Sequence, residues 1–167
     1  MQVNENWAEI KQLFRNAFRS SFHYAIATVN ENGEPHITPI GSLILGKPGH
    51  GVYFEEFPSQ LPRNLKTNQH VCVLAVNSDR WFWLKSLIRG RFAEPPAVRL
   101  YGTVGEVRPA TPKEIQLWQR RVKPVSFTKG HAMMWRQMST VRDIAFSHME
   151  PVRIGDMTHN TWNLLKS

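Results

Sequence analysis

His23-Tyr-Ala-Ile-Ala-Thr-Val29, Asn30-Glu-Asn-Gly-Glu-Pro35 and His36-Ile-Thr-Pro-Ile-Gly-Ser-Leu-Ile-Leu45 follow one another without a break. Two runs rich in β-branched and aromatic residues flank a polar turn, the pattern of a hairpin. Asn32-Gly33 supplies the positive φ that a tight turn needs. Pro39 interrupts the second run. It has no N–H to give to a ladder, so its strand is an edge, a bulge or a segment that faces a ligand.

Toward the N-terminus, residues 4–21 place Trp7, Ile10, Leu13, Phe14, Ala17 and Phe18 on one stripe of a helix, with Asn4 as its expected cap. This helix is expected to pack across a sheet. Toward the C-terminus, Gly46-Lys-Pro-Gly49 is a turn and Gly51-Val-Tyr-Phe-Glu-Glu56 a third strand. Ser59 and Pro62 then suit the start of a short helix. Val71-Cys-Val-Leu-Ala-Val76 is a continuous apolar run, read as a fully buried strand. Residues 79–92 suit a helical excursion ended by Gly90, and Ala97–Val107 a long strand. Gly102 and Gly105 within it mark a bend, a bulge or a close backbone approach.

Thr111-Pro112-Lys113-Glu114 combines a cap, a proline at the first helical position and a capping box. The helix runs to about Val122 with Ile115, Trp118 and Val122 on one face. Residues 124–142 suit an irregular or partly helical segment. Asp143–Arg153 is a last strand with Ile144, Phe146 and His148 on one face, and an extended or helical tail follows. The sum is six strands without β-α-β alternation and without a repeat. Hairpin-joined strands of this kind indicate an antiparallel sheet that closes on itself, a mainly β barrel with flanking helices.

A chain of 167 residues is expected to be a single domain, 1–167. Its parts are an N-terminal helix (1–22), barrel strands (23–107) with a helical insertion near 79–92, a basic helical segment (108–142), and the last strand and tail (143–167). No apolar run reaches the length of a membrane span, and the N-terminus leads into an amphipathic segment rather than a signal core. The expectation is a protein of the cytoplasm. Cys72 is the only cysteine, which excludes an internal disulfide and a cysteine-based zinc site.

The net charge is +8, and it is not evenly spread. Residues 1–107 hold 11 Lys or Arg against 9 Asp or Glu, whereas residues 108–142 hold 8 against 1. The excess centres on Arg120, Arg121 and Lys123, with Lys129, Arg136 and Arg142 behind. Such a stretch holds phosphates or a partner, or is a solvated face. No recognition-helix, zinc-finger or RNA-binding motif accompanies it, which argues against nucleic acid.

The seven histidines form no i, i+4 pair and no cluster with carboxylates, so no metal site is expected. Cys72, inside its apolar run, is expected to be an inert buried thiol. Met133, Met134, Trp135 and Met138 read as packing. The stretch from Phe54 to Lys66 carries the most chemistry. It sets Ser59, Gln60, Arg63, Asn64 and Lys66 on the first turns of a helix, where free N–H groups and nearby cations suit a phosphate.

Ala27–Gly41, Gly51-Val-Tyr-Phe54, Ser59–Val71 and Val98–Val107, in this order and spacing, resemble the pyridoxamine 5'-phosphate oxidase-like FMN-binding split β-barrel superfamily. The likeness spans residues 23–107 and extends loosely to the final strand. It implies a six-stranded antiparallel split barrel of Greek-key type, working as a homodimer with FMN in a groove between the subunits. By the same likeness Ile37, Thr38, Pro39 and Ile40 line the flavin ring. Phe54, Glu55, Ser59, Gln60 and Arg63 lie at the ribityl chain and phosphate, with Asn64 and Lys66 beside them. Tight FMN binders of the family often read Ser-Arg-Lys at the phosphate turn, where this chain reads Ser59-Gln60-Leu61 with Glu55-Glu56 nearby. Each missing cation within ~4 Å of a phosphate is worth up to about 4 kcal/mol at an effective dielectric of ~20. Arg63, Lys66 and the basic segment 118–136 of a partner subunit are the cations left to replace them.

The implied activity is that of a flavin-dependent oxidoreductase acting on a small molecule, with no side chain singled out as acid or base because the redox chemistry is the cofactor's. The alternative is a non-enzymatic module on the same fold that stores or senses a flavin, a deazaflavin or haem.

Overall fold

The structure is a computed structural model, and it describes residues 2–56, 59–125, 127, 138–159 and 161. Helix α1 (Trp7–Ser21) buries Trp7, Ile10, Leu13, Phe14 and Ala17, the stripe expected from the sequence. Each large apolar side chain so buried is worth about 1.5–3 kcal/mol. Asn4 does not cap α1: it lies in a 3-10 turn, Asn4–Asn6, that runs directly into the helix and makes no side-chain cap bond. The helix ends at Phe22, which turns left-handed (φ 61°) and donates its N–H to Phe18.

Seven antiparallel strands follow, one more than the six expected: β1 (Tyr24–Val29), β2 (Pro35–Ile40), β3 (Ile44–Leu45), β4 (His50–Phe54), β5 (His70–Val76), β6 (Ala97–Pro109) and β7 (Thr140–Pro151). The extra strand comes from the run 36–45, which breaks at Gly41-Ser42-Leu43. Its first half pairs with β1 and its second with β4. The sheet order is β2-β1-β5-β6-β7-β4-β3, so these two halves form its opposite edges and the chain bridges them in three residues. Gly41 is required at this bridge, because a Cβ there would lie 2.9 Å from the carbonyl oxygen of Phe22. The result is an antiparallel split barrel, and Pro39 is tolerated because β2 is an edge.

The turn between β1 and β2 is built by Asn30, whose Oδ1 accepts the N–H groups of Asn32 and Glu34, and by Gly33 at φ 80°. Helix α2 (Gln60–Thr67) joins β4 to β5. Helix α3 (Arg80–Arg89) joins β5 to β6 and is capped by Asp79, which accepts the Phe82 N–H at 2.7 Å. It ends at Gly90 in the left-handed region. Its stripe of Trp81, Leu84, Leu87 and Ile88 is exposed, and the helix is fastened instead by Phe82 and Trp83 against Phe92. Helix α4 (Pro112–Val122) starts in the expected capping box.

Two strands differ from expectation in which way they face. β5 is not buried on both sides. Val71, Val73 and Ala75 enter the core, while Cys72, Leu74 and Val76 are half-buried on the other face. In β7, Ile144 and Phe146 point inward but His148 does not. Tyr101 pairs with His148 and Gly102 with Phe146, so Ser147 is an extra residue, a bulge that reverses the alternation. Gly102 belongs to the same feature, since a Cβ there would sit 2.4 Å from the Ala145 carbonyl oxygen.

The main core lies between α1, α2 and the inner faces of β1, β5, β6 and β7. A second cluster forms where α4 covers β4 and β7: Phe54, Trp118, Val122, Met138 and Val141. Met133, Met134, Trp135, Lys129, Arg136 and the tail from Trp162 lie outside the described residues. Among the described residues no helix is long and apolar enough to cross a membrane.

Candidate functional site

Opposed residues of neighbouring strands point to the same face, so the registers can be read across the sheet. One outer-face row runs Ile37, Ala27, Cys72, Tyr101, His148; the next runs Pro39, Ala25, Leu74, Arg99, Glu150. The middle of both rows is apolar: Ala27 and Cys72 in one, Ala25 and Leu74 in the other. The β6–β7 end is polar and ordered: the Tyr101 and His148 rings stack 4.5 Å apart and 3° from parallel. The Tyr101 hydroxyl donates to Glu150 at 2.6 Å, and that bond pushes the phenol up to about 12. Arg99 reaches the same carboxylate at 3.5 Å. Cys72 therefore sits on a partly accessible face, correcting its expected full burial. Desolvation still pushes its thiol up, away from thiolate chemistry.

The four candidates on β2 divide between faces. Ile37 and Pro39 are exposed on the outer rows. Thr38 lies opposite Ile26 and Ile40 opposite Tyr24, on the inner face, and Ile40 is buried in the core. Among the described residues only one side of β2 is paired, so its other side presents backbone groups in the plane of the sheet.

At the other candidate segment, Ser59 occupies the cap position of α2 without a side-chain cap bond. Gln60 donates to Asn64 Oδ1 at 2.9 Å, and Asn64 donates to Thr28 Oγ1 at 2.9 Å. Thr28 is opposite His36, so this relay fixes the start of α2 beside the β1–β2 hairpin. Asn64 is fully buried and spends its amide on that link. Arg63 and Lys66 are exposed and make no ion pair among the described residues. Phe54 is buried against Trp118 (ring centroids 5.9 Å apart), and its backbone is held by Ser42, which both accepts from the Phe54 N–H and donates to its carbonyl.

Neither of the two acids at this turn is a free charge. Glu55 receives the Arg142 Nε at 2.6 Å in a nearly buried pair, and Arg142 also donates to the Gly105 carbonyl. Tyr53 donates to Glu55, and burial followed by that carboxylate raises its phenol far above the ordinary value. Glu56 accepts the N–H groups of Ser139 and Thr140 at the start of β7. Partial burial works to raise its carboxyl, but those bonds outweigh it and hold the group below the ordinary value. The sequence shows Arg142 as one of many cations in a basic stretch. The pairing depends on β7 lying beside β4, which no local pattern reveals.

A family model described as pyridoxamine 5'-phosphate oxidase matches residues 10–154. Solved structures similar to this chain include HupZ of Group A Streptococcus (19% identity, TM-score 0.58, covering 89% of this chain and 94% of that one). An FMN-binding protein from Syntrophomonas wolfei subsp. wolfei is similar at 14% identity and TM-score 0.57, over 91% and 95% of the two chains. An F420 reductase is similar at 13% identity and TM-score 0.50, over 82% and 95%. At these identities the likeness is one of fold. No curated protein matches in sequence.

Proposed function

The chain belongs to the pyridoxamine 5'-phosphate oxidase family, and from that premise we propose that it is an FMN-binding oxidoreductase whose flavin lies at a homodimer interface. The observation that carries this reading is the free edge of β2 beside the start of α2. An edge strand offers in-plane donors and acceptors to the polar rim of a flavin ring, and the exposed Ile37 and Pro39 offer it an apolar contact. Ser59 and Arg63 stand exposed at the first turn of α2, where a phosphate suits the free N–H groups. The removal of Glu55 from the local charge by Arg142 supports the same placement, since an unpaired acid there would repel a phosphate.

In this reading Ile37 and Pro39 support the ring, with Thr38 and Ile40 behind them. Ser59, Gln60 and Arg63 hold the phosphate end, with Lys66 as a more distant cation. Phe54, Glu55 and Asn64 position rather than touch: they fix the end of β4 and the start of α2. Bound FMN would supply hydride transfer to or from a small-molecule substrate. The exposed apolar stripe of α3 supports a second copy of the chain as partner, being a patch that an isolated molecule would leave in water.

Purified protein is expected to be yellow, with absorbance near ~450 nm as a rough flavin signature, and to release FMN on denaturation. Arg63→Ala is expected to weaken FMN binding about tenfold, measured by fluorescence quenching. Colourless protein that fails to bind added FMN at micromolar concentration would overturn the reading. A deazaflavin or haem identified by mass spectrometry of the released ligand would replace FMN with the alternative cofactor.

A further inference from the structure

A groove of about 620 Å³ lies away from β2 and α2, between α1, β3 and the end of α4. Its volume is that of a small-molecule site. Phe14, Phe18 and Phe22 of the α1 side face Leu43 and Leu45 across it. Lys11, Arg15 and Arg19 follow one another at successive turns of α1 along it. Arg121 closes it from α4. Its guanidinium lies 3.7 Å from the centre of the Phe18 ring, donates to the Tyr24 hydroxyl at 2.5 Å and donates to the Leu43 carbonyl.

Four cations thus line an apolar groove in which no described lining residue is acidic. Arg121 is half-buried, and among the described residues it has no carboxylate partner. Charges withdrawn from water are ordinarily paired. Here only neutral oxygens and a ring answer the charge, and burial draws the guanidinium below its ordinary value. Like-signed charges around low-dielectric walls concentrate the field on whatever enters. None of the residues assigned to the flavin lines this groove.

We propose that the α1–β3–α4 groove is a second ligand site, which takes a small amphipathic organic anion. The apolar body lies between the phenylalanines and leucines, and the anionic head meets Arg121 with Arg15 and Arg19 beside it. This explains why a cation from the basic stretch is drawn in over an aromatic ring rather than left in solvent.

The test is calorimetric titration of the full chain with dodecanoate, and with dodecyltrimethylammonium as the same body with the opposite head. One dodecanoate per chain is expected, with a Kd of about 10 μM, and no binding of the cation. Arg15→Glu with Arg19→Glu, both exposed and free of the core, should weaken dodecanoate about tenfold without changing the circular dichroism. Arg121→Gln should weaken it about thirtyfold or more. If Arg121→Gln fails to fold, the surface pair decides. Absence of dodecanoate binding below ~1 mM, or equal affinity for both heads, overturns the proposal. So does affinity unchanged in the variants. Saturating FMN should leave dodecanoate affinity unaltered, and displacement by FMN would assign the groove to the flavin and end the proposal. Failure to bind FMN at all bears on the cofactor reading alone.

Discussion

Arg121 and Arg142 come from the same basic stretch, and both are drawn inward, but they meet opposite surroundings. Arg142 is set on β7 beside β4 and meets Glu55 at 2.6 Å, with a backbone carbonyl as a further partner. Arg121 leaves the end of α4 and meets a phenol, a carbonyl and the face of Phe18. One charge is neutralised inside the protein, and the other is left for something that comes from outside. A third member, Arg108, is paired twice over. It bonds both Glu114 and Asp143 at 2.7 Å, nearer the surface. The local excess of positive charge is therefore not one featureless face.

Glu55→Gln leaves Arg142 charged, nearly buried and without its carboxylate, and should cost about 3–5 kcal/mol in urea denaturation. The double change Glu55→Gln with Arg142→Met should recover much of that loss; if it does not, the pair is no internal neutralisation. Arg108 sharpens the gradient with a smaller effect. Its bonds hold Glu114 down to about 2 and also lower Asp143. A carboxylate lowered in the folded state adds stability that is complete above its unfolded value, ~4.3, and is lost as the pH falls toward the folded one. Arg108→Ala should therefore cost about 1 kcal/mol at neutral pH after solvent screening, and the gap from the parent should close between about pH 5 and pH 2. A gap that persists at pH 2 would show that Arg108 acts through packing. Arg121→Met should have the smallest effect on stability, within about 1 kcal/mol, because it removes a charge that no acid among the described residues balances. A loss as large as that of Glu55→Gln would place Arg121 with Arg142 and abolish the contrast.

Much of the fold is legible in sequence because it is locally determined. The α1 stripe, the Asn30–Gly33 turn and the Thr111–Glu114 capping box need only residues within a few positions of each other. Even α3, whose pattern fits both helix and strand, is fixed by Asp79 before it and Gly90 after it. What is not legible depends on distant partners. The run 36–45 carries no mark that its two halves serve opposite edges. Ser147 becomes a bulge only because Gly102 brings β6 hard against β7. That one inserted residue turns His148 outward to stack on Tyr101. Of the candidate site, the start of α2 is visible as a helix with nearby cations. The division of β2 between two faces, and the withdrawal of Glu55 by a residue 87 positions away, follow only from the strand order.

The three-residue link between β2 and β3 also acts as a clasp. A chain stretched from Ile40 to Ile44 reaches at most about 14 Å, roughly three strand spacings of ~4.8 Å. The two rims of the split sheet therefore cannot part beyond that distance at this end, whatever the rest of the molecule does. At most two added strands would therefore fit between the rims near Gly41. Any larger opening of the seam must occur at the far end and pivot on this link, so the barrel can gape like a clip but cannot unroll.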